Sequence, residues 1–187
     1  MAFFDMIKIN GKEFIRPKRL EQAIKIMSKM KRKRKNKKII ISGSFLFNDK
    51  HGDIDVFIFS KYDKEDYRKG KIHVTFLPES AIDSLFFSSL SKISVSNLHF
   101  NNKKDFDLEI NAVLQTYELL INAILNNEDN EKILRDFILQ TEYISKGVIL
   151  NPKQLSHIKE KLSGNKINIL SIIFINSLIL SYDEAIA

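Results

Sequence analysis

The chain has 187 residues and no cysteine, which excludes disulfide bonds, thiolate nucleophiles and thiolate zinc sites. Hydrophobic residues make up 44% of it and charged residues 28%, a mixture that argues against both a disordered chain and an integral membrane protein. The formal net charge of +7 suits polyphosphate or nucleic-acid partners, and much of it lies in the basic run Lys31–Lys38.

The first segments of the chain predict a hairpin and a helix. Met6–Ile9 and Lys12–Ile15 flank Asn10-Gly11, the dipeptide that most readily supplies the positive φ angles of a two-residue β-hairpin turn. After Pro17, apolar residues recur at helical spacing as far as Met30, which predicts an amphipathic helix that leads into the basic run. That run is either a phosphate-contacting patch or a solvated helix end, and the helix macrodipole favours the second interpretation.

Three strands are expected in the next part of the chain. Lys38–Ser42 is a short β-branched run that ends at Gly43-Ser44. Asp53–Phe59 alternates apolar and other side chains, as a half-buried strand does. Ile72–Leu77 has the composition of a third strand, which Pro78 ends.

A second hairpin and a helical region complete the predicted order. A helix is expected over Ile82–Leu90, and two strands, Ser94–Phe100 and Asp105–Ile110, are expected around the turn-forming segment Asn101–Lys104. From Ala112 onward the apolar spacing is helical. The predicted fold class is therefore α+β, with a mixed β-sheet domain over residues 1–110 and a helical region over residues 111–187.

Two segments bear on targeting and on membranes. Met1–Phe4 lacks the basic flank and the long apolar stretch of a secretory signal, so we expect a cytoplasmic protein. The apolar run Ile167–Leu180 is shorter than the roughly 20 residues of a membrane span, and polar residues interrupt it. It is expected to form a buried helix, and no membrane partner is expected.

The segment from Lys38 to Ser60 carries the residues that suggest chemistry. Asp53 and Asp55 are two apart on a predicted strand, so their carboxylates point to one face and can share a divalent cation with a triphosphate. Gly43 lets the backbone approach a phosphate closely, and the Ser44 hydroxyl and neighbouring amides can donate hydrogen bonds to phosphate oxygens.

This ordered set, a strand ending in Gly-Ser, a turn, and a strand bearing Asp-x-Asp among apolar residues, resembles the polymerase-beta-like nucleotidyltransferase superfamily. The resemblance implies Mg²⁺-dependent transfer of a nucleoside monophosphate from a nucleoside triphosphate to a hydroxyl, with pyrophosphate leaving. It also implies that Asp53 and Asp55 are catalytic metal ligands and that Gly43 and Ser44 bind the nucleotide. The acceptor, a nucleic acid, a protein or a small molecule, is left open.

The family commonly adds a third carboxylate from a neighbouring strand. Ile72–Leu77 offers only His73 and Thr75, so it does not supply one. Asp105, Asp107 and Glu109 share one face of a predicted strand, and the central Asp107 is chosen as the third catalytic and metal-binding acid. An acidic strand edge that faces solvent would have the same pattern.

Two other interpretations remain beside the enzyme. A chain that keeps the fold without a third acid would be an inactive binding or regulatory protein, and a nucleic-acid-binding module would depend on the basic run instead. The single histidines, His73, His99 and His157, are taken as structural or surface residues rather than metal ligands. The phenylalanines are expected to pack in the core rather than to stack on bases.

Overall fold

The computed structural model describes residues 7–33, 37–49, 52–60, 65–98, 100, 105–128 and 130–186. They form a mixed α+β fold, as predicted, whose helices concentrate toward the C-terminus. The chain divides into two compact units, one of Met1–Lys104 with Asn151–Lys153 and one of Asp105–Leu150 with Gln154–Ala187. The predicted opening segment Met1–Phe4 and the turn Asn101–Lys104 lie outside the described residues.

The first unit is built on a six-stranded mixed sheet, counted over its described residues, with the strand order β1-β6-β2-β3-β5-β4. β3 and β5 are parallel, and the other paired neighbours are antiparallel. The predicted strands around Ser42, Ile54 and Ile72 are confirmed. The strands are β1 (Lys8–Asn10), β2 (Lys38–Ser42), β3 (Ile54–Phe59), β4 (Tyr67–Lys69), β5 (Ile72–Leu77) and β6 (Ser94–Ser96).

One face of the sheet is covered by α1 (Pro17–Lys33), which is the predicted amphipathic helix. Its apolar stripe buries Ala23 and Met27 completely. They pack against the residues of β2 and β3 that point to this face, a set that includes Ile39, Ile41, Val56 and Ile58. Burial of this stripe is the main reason that the helix is stable in this position.

On the opposite face pack α2 (Leu85–Ser91) and an aromatic cluster. The Phe87 ring lies 5.3 Å from the Phe57 ring and 5.0 Å from the Phe59 ring, in edge-to-face contacts. The phenylalanines of this cluster therefore pack in a core, as predicted. Because Phe57 and Phe59 belong to the second half of β3, the start of the same strand, with Asp55, lies outside this cluster.

The hairpin predicted at Asn10-Gly11 is wrong. β1 pairs with β6, and the residues after Gly11 form a short 3₁₀ turn, Lys12–Phe14, instead of a returning strand. Gly11 has a φ of 61°, as a turn glycine would, but a side chain at this position would also meet the backbone oxygen of Lys92 at 2.3 Å. The glycine thus serves a close approach between distant segments rather than a two-residue turn.

The second unit consists of α3 (Ile110–Leu125), α4 (Glu131–Lys146), α5 (Pro152–Leu162) and α6 (Lys166–Ile186), of which Pro152 and Lys153 are grouped with the first unit. α3 and α4 pack through apolar stripes in which the Tyr117 ring lies 5.6 Å from the buried Phe137 ring. Asn176 of α6 is buried and donates a hydrogen bond to Thr141 of α4 over 3.0 Å. The predicted helical character of this region is confirmed.

The expectation that Ile167–Leu180 is a buried helix is only half right. The segment is helical, but its buried stripe is narrow, and Ile167 and Phe174 are 77% and 65% exposed. Among the described residues, no single helix has the length and apolar composition of a membrane span. Only α5 and α6 taken together, as far as Leu180 and across a bend of 115°, meet that test of length and composition.

The strand predicted over Asp105–Ile110 is also wrong. Residues 105–109 form no regular element, and Ile110 begins α3. Phe106 holds this segment to α4, since its backbone N–H donates to the Tyr143 hydroxyl over 2.6 Å and the two rings lie 5.6 Å apart. The alternating exposure expected of a strand is present, but here it comes from anchoring to a helix.

Candidate divalent-cation site

The sheet places Asp55 and His73 side by side. Asp55 lies at the start of β3, and in the parallel pairing of β3 with β5 its cross-strand partner is His73. Paired residues of neighbouring strands project from the same face, so the carboxylate and the imidazole meet. Asp55 Oδ1 lies 3.8 Å from His73 Nδ1.

Asp53 completes a group of three possible ligands. It precedes β3 by one residue and so shares the face of Asp55. One donor atom from each of Asp53, Asp55 and His73 lies within 4.8 Å of the other two, the only such group of His, Asp and Glu side chains in the described part of the chain. The three side chains are 35%, 40% and 37% exposed, which leaves them accessible to solutes.

The Gly43-Ser44 turn borders this group. Gly43 directly follows Ser42, the β2 partner of Asp55, and has a φ of 94° that favours glycine. A Cβ added to Gly43 would lie 3.3 Å from Asp55 Oδ2, so any larger residue would crowd the carboxylate. The predicted neighbourhood of Gly43 and Asp55 is therefore present, and the backbone of the turn lies close to that carboxylate.

The segment after Gly43 is fastened to the start of α1. Ser44 begins a 3₁₀ turn, Ser44–Leu46, and the Arg16 backbone N–H donates to the Leu46 carbonyl over 3.0 Å. The Arg16 guanidinium donates to the Phe47 carbonyl over 3.1 Å and forms a two-pronged ion pair with Asp49. These contacts hold the backbone next to the carboxylates in one conformation.

An arginine side chain contacts this group of ligands. Arg68, on β4, donates from Nη2 to Asp53 Oδ2 over 2.5 Å. This guanidinium offsets only part of the charge of the two carboxylates, and paired carboxylates are ligands that a divalent cation prefers.

The residues fit a divalent metal ion by their chemistry. Carboxylate oxygens are ligands for Mg²⁺, and an imidazole nitrogen is a ligand that transition metals accept more readily than Mg²⁺ does. The absence of a side chain at Gly43 lets the backbone lie close to the Asp55 carboxylate. Asp53, Asp55 and His73 could therefore hold a metal ion.

Asp107, the predicted third carboxylate, belongs to the second unit. It is exposed on the irregular segment anchored by Phe106, not on a strand beside Asp55. Asp105 and Glu109 lie on the same irregular segment and are also exposed. Asp107 was chosen as the central acid of a shared strand face, and no strand forms here. A catalytic or metal-binding role for Asp107 stays a prediction, and the site is described by the three grouped side chains of the first unit.

His73 is the site residue that sequence reasoning passed over. Its strand was predicted, but a search for a third carboxylate set aside a strand that offered only an imidazole and a hydroxyl. The signal that would have found it is the parallel pairing of β3 with β5, because this register puts His73 opposite Asp55.

Comparisons with protein-family models, with curated proteins and with solved structures returned no match to this chain. The arguments for function therefore rest on the residues and their geometry.

Proposed function

We propose that the first unit is a nucleotidyltransferase, which transfers a nucleoside monophosphate from a nucleoside triphosphate to an acceptor hydroxyl in the cytoplasm. The observation that carries the proposal is the meeting of Asp53, Asp55 and His73 beside the Gly43 turn. Mg²⁺ is the proposed ion, bound by the two carboxylates, and the acceptor is proposed to be a nucleic acid or a protein rather than a membrane component.

Each residue has a part in this reaction. Asp53 and Asp55 would hold the ion, which supplies charge neutralisation of the triphosphate. Gly43 would let the phosphates approach the backbone, and Ser44 would donate to a phosphate oxygen. The acceptor oxygen bonds to the α-phosphorus, the bond from that phosphorus to the bridging oxygen breaks, pyrophosphate leaves with the electron pair, and the hydroxyl proton passes to a base.

A second candidate is a metal-dependent nucleotide-binding protein without turnover. His73 favours it, because an imidazole stands on the strand next to Asp55, where the family resemblance implies a carboxylate. A symmetric clamp on the attacking and leaving oxygens requires two metal ions. An imidazole contributes no negative charge that would help to hold the second Mg²⁺.

The two candidates are separated by incubating the full chain with each labelled nucleoside triphosphate and Mg²⁺ or Mn²⁺. The enzyme predicts release of pyrophosphate that a chelator abolishes. Metal-dependent retention of the nucleotide without pyrophosphate release would support the binding protein instead. Absence of both would contradict both candidates. Because the acceptor is unknown, the assay includes the chain itself and mixed RNA as acceptors.

His73 offers a direct test of what the imidazole does. The change His73→Asp supplies a third hard, charged ligand in place of an imidazole, so we expect the affinity for Mg²⁺ to rise about tenfold relative to that for Zn²⁺. Calorimetric titration with each ion measures the ratio. His157→Asp, an exposed histidine on α5, is the matched control. An unchanged ratio in His73→Asp would remove His73 from the ligand set, and new pyrophosphate release would support the second candidate for the native chain.

A further inference from the structure

Arg68 lies in line with the ligands of the candidate site. His73 is the β5 partner of Asp55 in the parallel pairing, and it is also the partner of Arg68 in the antiparallel pairing of β4 with β5. Asp55, His73 and Arg68 thus form one row across three strands, and all three project from the same face. This row ends at β4, the edge strand of the described sheet.

Arg68 and a metal ion would compete for the same carboxylate. Arg68 Nη2 contacts Asp53 Oδ2, while Asp53 is also one of the three grouped ligands. A divalent ion on Asp53 would draw the carboxylate more strongly than a single positive charge does, and it would repel the guanidinium. Since the Arg68 side chain is 62% exposed, its ion pair is screened by solvent and contributes little.

A guanidinium displaced from Asp53 would remain beside the bound ion. Its planar fork matches two phosphate oxygens, which makes arginine a preferred side chain for phosphate recognition. We propose that Arg68 is a polyphosphate-binding residue, which contacts Asp53 in the metal-free protein and a phosphate of the triphosphate once a divalent ion occupies the site. This inference rests on the proposed function, because it assigns a recognition residue to the same site.

The proposal predicts effects of opposite sign on two ligands. Arg68→Ala removes the competitor for Asp53, so Mn²⁺ alone should bind about 2–5-fold more tightly, as loss of an exposed ion pair allows. The same change removes a charge-assisted contact, so inorganic tripolyphosphate in the presence of saturating Mn²⁺ should bind about 10-fold or more weakly. Arg68→Lys keeps the charge without the planar fork. Its affinities for both ligands should therefore fall between those of the wild-type chain and those of Arg68→Ala.

The experiment measures Mn²⁺ by electron paramagnetic resonance and tripolyphosphate by calorimetry, on the full chain. Lys69→Ala is the matched control, because Lys69 is the next residue of β4 and projects from the other face. Equal tripolyphosphate affinity in the wild-type chain and Arg68→Ala would overturn the proposal. The proposal would also be overturned if either Arg68 variant lost thermal stability and, with it, affinity for both Mn²⁺ and tripolyphosphate. That result would indicate a structural role for Arg68.

These outcomes are independent of turnover. If tripolyphosphate binding depends on Arg68 but no nucleoside triphosphate is consumed, nucleotidyl transfer fails while the assignment of Arg68 stands. If pyrophosphate is released equally by the wild-type chain and by Arg68→Ala, and tripolyphosphate affinity is also unchanged, the assignment fails while the proposed function stands. If the wild-type chain binds no Mn²⁺, the proposal that a divalent ion replaces Arg68 at Asp53 is overturned.

Discussion

Replacement of Asp55 by asparagine is expected to lower the affinity for Mn²⁺ at least about 100-fold, since loss even of a residue that only supports a metal ligand costs 10- to 100-fold. Asp55 belongs to the group through Oδ1, which lies 3.8 Å from His73 Nδ1, and its Oδ2 lies next to Gly43. The amide has the same shape but no charge, so the sheet should keep its register. Pyrophosphate release, if the wild-type chain shows it, should fall by a similar or larger factor.

The control for this prediction is Asp83→Asn. Asp83 is an exposed carboxylate in the 3₁₀ turn Glu79–Asp83. This turn follows the last residue of β5, whereas His73 lies near the first residue of that strand. This variant should bind Mn²⁺ like the wild-type chain, and both variants should retain the wild-type circular dichroism spectrum. Wild-type Mn²⁺ affinity in Asp55→Asn would show that the ion binds elsewhere and would remove the basis of the proposed function.

Replacement of Gly11 by alanine is expected to lower the free energy of unfolding by about 3 kcal/mol. A left-handed conformation costs a residue with a side chain about 1 kcal/mol, and forcing a methyl group into a packed position costs a further 1–3 kcal/mol. The close contact is with the backbone oxygen of Lys92, which cannot turn aside as the end of a flexible side chain would. Urea denaturation followed by circular dichroism measures the change.

Gly70→Ala separates the two causes. Gly70 lies between β4 and β5 and has a φ of 58°, close to the 61° of Gly11, but a Cβ there meets no atom within 4 Å. Its replacement should therefore cost only the conformational part, about 1 kcal/mol. Equal losses in the two variants would mean that the segment around Lys92 yields to the methyl group and that Gly11 matters only for its backbone conformation.

The strands that form the site could be predicted because their pattern is local. Alternating or continuous apolar residues between turn-forming residues indicate β2, β3 and β5, and each is present. The turn at Gly43 and the acidic strand follow from residue types alone, and their proximity follows from the antiparallel pairing of consecutive strands. This much of the site needed no tertiary information.

The errors arose where the partner of a segment is distant in sequence. Asn10-Gly11 has the composition of a hairpin turn, yet β1 pairs with β6, more than eighty residues away, and no local pattern encodes that choice. Residues 105–109 alternate as a strand would, although Phe106 packs on Tyr143 of a helix. The apolar run Ile167–Leu180 was expected to form a buried helix, yet Ile167 and Phe174 are exposed. Apolar composition does not determine how much of a helix surface other helices cover.

His73 was missed for a related reason. The search for a third carboxylate set aside β5, and the sequence does not state that β3 and β5 are neighbours that run in the same direction. The relation of Asp55 to His73 depends on that direction and on an alignment without a one-residue slip, which would move the imidazole to the α1 face. Register of this kind is set by packing on both faces together.

The parallel arrangement also determines how the site can be redesigned. The carboxylates, the imidazole and the guanidinium all come from the single stretch Asp53–His73, and none of these four residues belongs to the apolar clusters that α1 and α2 bury. A randomised library limited to positions 53, 55, 68 and 73 would sample the full range of charge and ligand type at the site. Selection from that library would exchange one metal or anion preference for another while the scaffold is left intact.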